Sequence, residues 1–133
     1  MKKLENEYLE CWIENDGILY SKFKYPIDVK LDIMKSFIEL RHELSEGKHQ
    51  YWCYIANGVK SYPKESRDYS AIHGQDYLHA CACVVSSHIT KFIFNAFSKI
   101  NKPRIPFKAF KSKEAAVEWL LALKKQNEAN GIH

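Results

Sequence analysis

The four cysteines, at 11, 53, 81 and 83, are the residues best equipped for chemistry in this chain. As thiolates they would serve as nucleophiles, redox partners or ligands for a soft metal. His79, Cys81 and Cys83 are spaced by two, so on a strand all three point to one face. Three ligands in a row on a strand make a poor tetrahedral chelate, and the CxxC turn of structural zinc sites is missing. Each cysteine sits inside an apolar run. They are read as reduced core thiols, with no metal and no cofactor. A second group, Ser86-Ser87-His88, stands where the carboxyl end of a strand should meet a helix start. Ligands collect at such points in open α/β sheets, and serine hydroxyls beside free amides would suit an anion. The glycines that let a phosphate approach the backbone are absent, so a capped helix is the preferred reading. Adjacent Ser87 and His88 do not face each other as nucleophile and base, and no acidic orienting partner can be assigned. No catalytic residue is assigned, and the chain is expected not to be an enzyme.

Charge and aromatic residues offer binding rather than catalysis. Lys99, Lys102, Arg104, Lys108, Lys111 and Lys113 form a basic run with Phe107 and Phe110 interleaved. Such a stripe could grip nucleic acid or an anionic membrane face. The plainer reading is a solvated cationic face, with both phenylalanines on the core side of the last strand. Tyr8, Trp12 and Tyr20 cluster near the start, and Tyr51, Trp52 and Tyr54 near the middle. Most are read as core. Tyr8 and Trp12, on the outer face of a hairpin, are read as an interface, where a second copy of the chain would make a homodimer.

These residues must be positioned by a single domain, taken as 1–133 with a core of about 7–126. At 133 residues the chain has room for one core. Its apolar fraction of 46% and charged fraction of 27% are ordinary for a globular protein and argue against disorder. A net charge of +4 does not by itself imply nucleic acid. No apolar run follows the opening Met1-Lys2-Lys3, so no signal peptide is read, and Ala80–Val85 is too short to span a bilayer. A cytosolic location is expected.

The elements alternate. Residues 7–14 and 17–24 read as a hairpin at a sheet edge, turned by Asn15-Asp16-Gly17. Asp28 is the expected N-cap of a helix over about 29–45, with the stripe Ile33, Phe37, Leu40, Leu44 and a stop at Gly47. Tyr51–Ala56 has no alternation and suits a strand covered on both faces. A short connection, Val59–Tyr62, leads through Pro63 into a helix over 63–73, with a further turn through Tyr77 allowed. Leu78–Ser86 is a second buried strand, followed by a helix over about 88–99 capped by Ser86 or Ser87. Ile105–Phe110, interrupted by Pro106, reads as an edge strand. Ser112 caps a last helix over 113–126, with Ala116, Leu120 and Leu123 on one face and Val117 and Leu121 alongside. The tail beyond it should fray. The fold class is α/β, a single-layer mixed sheet with helices in the order ββαβαβαβα.

This order, with Asn57-Gly58-Val59 as the turn after a buried strand, resembles the STAS fold, and more closely the SpoIIAA-like bacterial proteins. The likeness runs from about Leu9 to Leu123. It rests on Leu44-Ser45-Glu46-Gly47, Gly58-Val59-Lys60-Ser61, Glu65-Ser66-Arg67-Asp68-Tyr69, Asn101-Lys102-Pro103 and the Glu114–Leu120 helix. These pieces are architectural. The resemblance implies a non-enzymatic interaction or regulatory module, in which a serine or threonine at the start of the helix after this turn is phosphorylated to break contact with a kinase partner. Here Pro63-Lys64-Glu65-Ser66 stands where that Asp-Ser-Ser/Thr-Gly motif would be, with Lys64 or Glu65 at the phosphorylatable position. Ser61 and Ser66 are the nearest substitutes, since a phosphate is favoured at a helix N-terminus. The plainer reading has Ser61 helping to cap the helix and Ser66 facing solvent. The expected interaction surface is Asn57, Gly58, Lys60, Ser61, Lys64, Glu65, Ser66 and Arg67, toward a protein partner. The alternative is a carrier of a small apolar or anionic ligand between the hairpin, the sheet and the third helix.

Overall fold

A strand buried on both faces must have strands on both sides and a layer above and below it, and Tyr51–Ala56 is the place where the chain builds this. The computed structural model describes residues 2–87, 90–91 and 104–133. In chain order the elements are β1 (Lys2–Glu5), β2 (Leu9–Ile13), β3 (Ile18–Phe23), β4 (Ile27–Asp28), α1 (Leu31–Ser45), β5 (Gln50–Ile55), β6 (Val59–Ser61), α2 (Lys64–His73), β7 (Leu78–Val84), β8 (Phe107–Phe110) and α3 (Lys113–Ala129). Six strands form one mixed sheet in the order β1-β2-β3-β5-β7-β8. β1, β2 and β3 pair antiparallel, while β3, β5, β7 and β8 run parallel. The expected mixed α/β architecture is therefore present, with β5 at its centre and β8 as an edge.

The pleat sorts side chains between two cores. One holds Leu9, Cys11, Leu19, Phe23, Trp52, Tyr54, Cys81 and Cys83 under Ile33, Phe37 and Leu44 of α1. The other holds Ile18, Tyr20, Tyr51, Cys53, Ala80, Ala82 and Val84 under Ala116 and Leu120 of α3. Ser112 caps α3 as expected, its Oγ accepting from the Ala115 N–H at 3.1 Å. A Ser112→Ala variant should lose about 1 kcal/mol in a thermal melt.

Several local expectations are corrected. β1 pairs outside β2, so the hairpin is not the sheet edge. Asp28 does not cap α1: it lies in β4, and the N-cap is Lys30, without a side-chain bond. Val59–Tyr62 is not a bare connection, because Val59–Ser61 pairs parallel with β4. Residues 74–77 turn rather than extend α2, and Tyr77 takes a positive φ of 59°. Leu121 is exposed. The tail is tied down: Asn127 Nδ2 donates to the Tyr51 hydroxyl at 2.7 Å, and α3 runs to Ala129. The helix expected over about 88–99 lies outside the described residues.

Candidate interaction surface

The β5–β6 turn projects from the carboxyl end of the central strand. Its backbone closes locally, with the Val59 N–H donating to the Ala56 carbonyl at 3.1 Å. It is then braced by the segment leading into α1. The Ile27 N–H donates to Gly58 O and the Val29 N–H to Ser61 O, both at 2.9 Å. The Ser61 hydroxyl donates to Asp28 Oδ1 at 2.7 Å. Ser61 thus belongs to a two-strand brace rather than to the cap of α2, whose N-cap is Pro63 with no side-chain bond. Beneath the turn, the hydroxyls of Tyr54 and Tyr62 are hydrogen-bonded to each other.

Of the expected surface residues, Asn57, Lys60, Ser61, Lys64, Glu65 and Arg67 are exposed, and Gly58 is half-buried. Ser66 departs from expectation. It is 0% exposed, its Oγ has no hydrogen-bond partner among the described residues, and it is the one buried residue of α2. Facing inward, it cannot meet a modifying enzyme without α2 lifting away. Sequence reasoning missed Tyr25. It is 46% exposed, and its carbonyl lies 3.5 Å from where a Cβ on Gly58 would stand. Tyr25 thus adjoins Gly58 through its backbone, and Lys60, Lys64 and Arg67 are exposed on β6 and α2. Its signal was Tyr25-Pro26, a pair that ends a strand at the surface. Lys64 also pairs with Asp68 at 2.8 Å, an exposed link of little energetic weight.

Of the other candidates, Ser86-Ser87 follow β7 at the same carboxyl end of the sheet as the turn, while the cysteines lie inside the sheet. The four cysteines are buried and free. Burial pushes the Cys11 and Cys53 thiols up to about 12, and Cys81 and Cys83 also rise by burial. Such thiols are poor nucleophiles at neutral pH. Among the described residues no group of three His, Cys, Asp or Glu side chains could hold a metal ion. Ser87 acts as a cap, its Oγ accepting from the Thr90 N–H at 3.1 Å, while Ser86 is exposed and His88 lies outside the described residues. Of the basic run, Lys99 and Lys102 lie outside them too. Arg104 pairs with Asp76, and Lys113 reaches Glu14 and the Tyr20 ring. Lys108 lies over Phe110, and Lys111 is exposed. Phe107 and Phe110 both pack inward, but on opposite faces. Tyr8 and Trp12 likewise do not share a face, since Tyr8 packs on the α1 core and Trp12 on the α3 core. Asn6 causes the split: its Oδ1 accepts from the Tyr8 and Leu9 N–H groups and keeps Tyr8 out of β2. Trp12 stacks on Tyr20, and beside it Glu10 is held between Lys3 and Lys22 at 2.9 and 3.4 Å.

A family model described as a domain of unknown function (DUF7793) matches residues 11–124. The chain belongs to that family. Among solved structures, an uncharacterized protein of the DUF3478 family with a SpoIIAA-like fold, from Shewanella loihica PV-4, is similar at a TM-score of 0.64. The two share 13% identity over 88% of this chain and 97% of that one. The DUF7793 domain therefore has a SpoIIAA-like fold. No curated protein matches it. Among its described residues no helix is long and apolar enough to cross a membrane.

Proposed function

We propose that this DUF7793 domain is a non-enzymatic interaction module of the cytoplasm, meeting a protein partner through the β5–β6 turn, β6 and the first turn of α2. The observation that carries this reading is a backbone-braced turn that leaves Asn57, Lys60, Lys64 and Arg67 exposed, with the exposed Tyr25 two residues before the brace at Ile27. Tyrosine and arginine are the residue types that dominate binding hot spots, and a braced turn loses little entropy on docking. The buried, weakly acidic thiols support a role without covalent chemistry. The inward Ser66 favours a contact that is not switched by phosphate at that residue. A ligand carried between the hairpin, the sheet and the helix expected over about 88–99 is the weaker reading, since on the α1 side of the sheet Phe23, Phe37, Trp52 and Tyr54 are already in ring-to-ring contact.

A photocrosslinking residue placed at Tyr25 or Lys64, with Glu118 on α3 as control, tests this in extract of the native host. The expected result is one discrete adduct from both turn positions and none from Glu118. Identical adduct patterns at all three positions, or none at any, would overturn it.

A further inference from the structure

The carboxyl end of α2 is held by α1. Arg41 is 0% exposed and spans the gap, Nη1 donating to the Gly74 carbonyl and Nη2 to the Asp76 carbonyl, both at 2.9 Å. Nη2 also meets His42 Nε2 at 3.2 Å. A guanidinium has donors only, so Nε2 must be the bare nitrogen of a neutral imidazole, with its proton on Nδ1. The His42 ring also packs edge-on against Tyr77, with centroids 5.0 Å apart. Tyr77 sits at a φ of 59°, a left-handed conformation that an aromatic residue resists. Arg41 and His42 are thus among the groups that hold the loop in this costly shape.

We propose that His42 is a proton-controlled latch, holding the Gly74–Tyr77 loop against α1 while its imidazole is neutral and releasing it when the imidazole is protonated. Protonation removes the lone pair that Nη2 uses and sets two cations donor to donor. The strain falls on the guanidinium that grips both loop carbonyls. The groups facing His42 are Arg41 from its own helix, Asp76 and Tyr77 from the loop, His73 from α2, and His49 on the far side of Tyr77. Asp76 favours the proton, but its carboxylate is shared with Arg104 at 3.3 Å. Burial first, and Arg41 next, hold His42 below its ordinary 6.5. The sign follows: the open loop takes up the proton near 6.5 and the closed loop only at lower pH. Closure is therefore at full strength above 6.5 and weakens as pH falls below it. Release has a long reach, because Gln75 Oε1 accepts the N–H groups of Arg104 and Ile105 at 2.5 and 3.2 Å on the approach to β8. The latch is independent of the interaction surface proposed above.

Amide exchange on the intact chain tests it, at about pH 7.5 and about pH 5.5, corrected for chemical exchange. The reporters are the Gly74 N–H, which donates to Ser70 O, and the Gln50 N–H, which donates to Tyr77 O. Wild type should lose several-fold in protection, up to the roughly tenfold that a group of ordinary pKa 6.5 can release one unit below that value. His42→Gln keeps a neutral acceptor and should show no such loss, whereas His49→Gln and His73→Gln should behave as wild type. Unchanged wild-type protection, or an equal loss in His42→Gln, would overturn the latch. An NMR titration of wild type serves without any variant. The His42 ring and the Asp76 and Tyr77 amides should share one midpoint below 6.5. Separate midpoints, or a His42 midpoint at or above that value, refute it.

Discussion

A Phe37→Ala variant is expected to lose about 3–5 kcal/mol of stability in urea denaturation. Phe37 is 2% exposed and meets three rings edge-on: Phe23 at 5.2 Å, Tyr54 at 5.2 Å and Trp52 at 5.5 Å. Phe23 belongs to β3, and Trp52 and Tyr54 to β5, so the walls of the resulting cavity are fixed by the parallel ladder and collapse little. Phe37→Leu refills much of the volume and should lose less than half as much. A loss under about 1 kcal/mol for the alanine variant would mean that α1 does not pack on the sheet in this way.

The second large effect is at Arg41. Arg41→Ala should cost about 2–4 kcal/mol, since it empties space beneath Trp52 and leaves the Gly74 and Asp76 carbonyls without a donor. The acceptors of this guanidinium are carbonyls and an imidazole rather than carboxylates, and its Nε has no hydrogen-bond partner among the described residues. Burial brings its pKa down to about 10, so it stays charged at neutral pH. The charge is balanced by the negative carboxyl end of α2 and by the face of Trp52, 4.5 Å from the guanidinium carbon. Arg41→Met keeps the stem but removes both the charge and its desolvation cost, so its loss should be smaller. Equal or greater stability in Arg41→Met would mean that the charge serves the geometry of the loop rather than stability.

The parts of this fold that were legible carry either a sustained pattern or a residue of strong local preference. The uninterrupted Tyr51–Ala56 run and the Ile33–Phe37–Leu44 stripe are sustained, and Ser112 is an N-cap by residue type. β4 and β6, with two and three residues, are too short to show alternation. Arg41 was missed because a periodicity reading assigns charge to the outer face of a helix, and only the α2 carboxyl end makes its burial tolerable. Ser66 was misplaced for the converse reason. α2 offers only Tyr69, three residues after Ser66, as an aromatic packed against the core, too brief a stripe to mark the inward side. The exposed turn was legible from Asn57-Gly58, but Tyr25 joins it only through pairing across the chain.

The bonds from α3 to the first half of the chain set an order on synthesis. Lys124 Nζ donates to the Asp16 carbonyl across 108 residues of sequence, and Leu120 packs in one cluster with Ile18. The face under α1 can be roofed early, from residues made close together in time. The opposite face, carrying Ile18, Tyr20, Cys53 and Ala82, gains its α3 cover only when translation has passed Leu120. A nascent chain of this domain therefore presents a half-covered apolar sheet between the completion of β7 at Val84 and that of α3, and chaperone demand should be greatest in that interval.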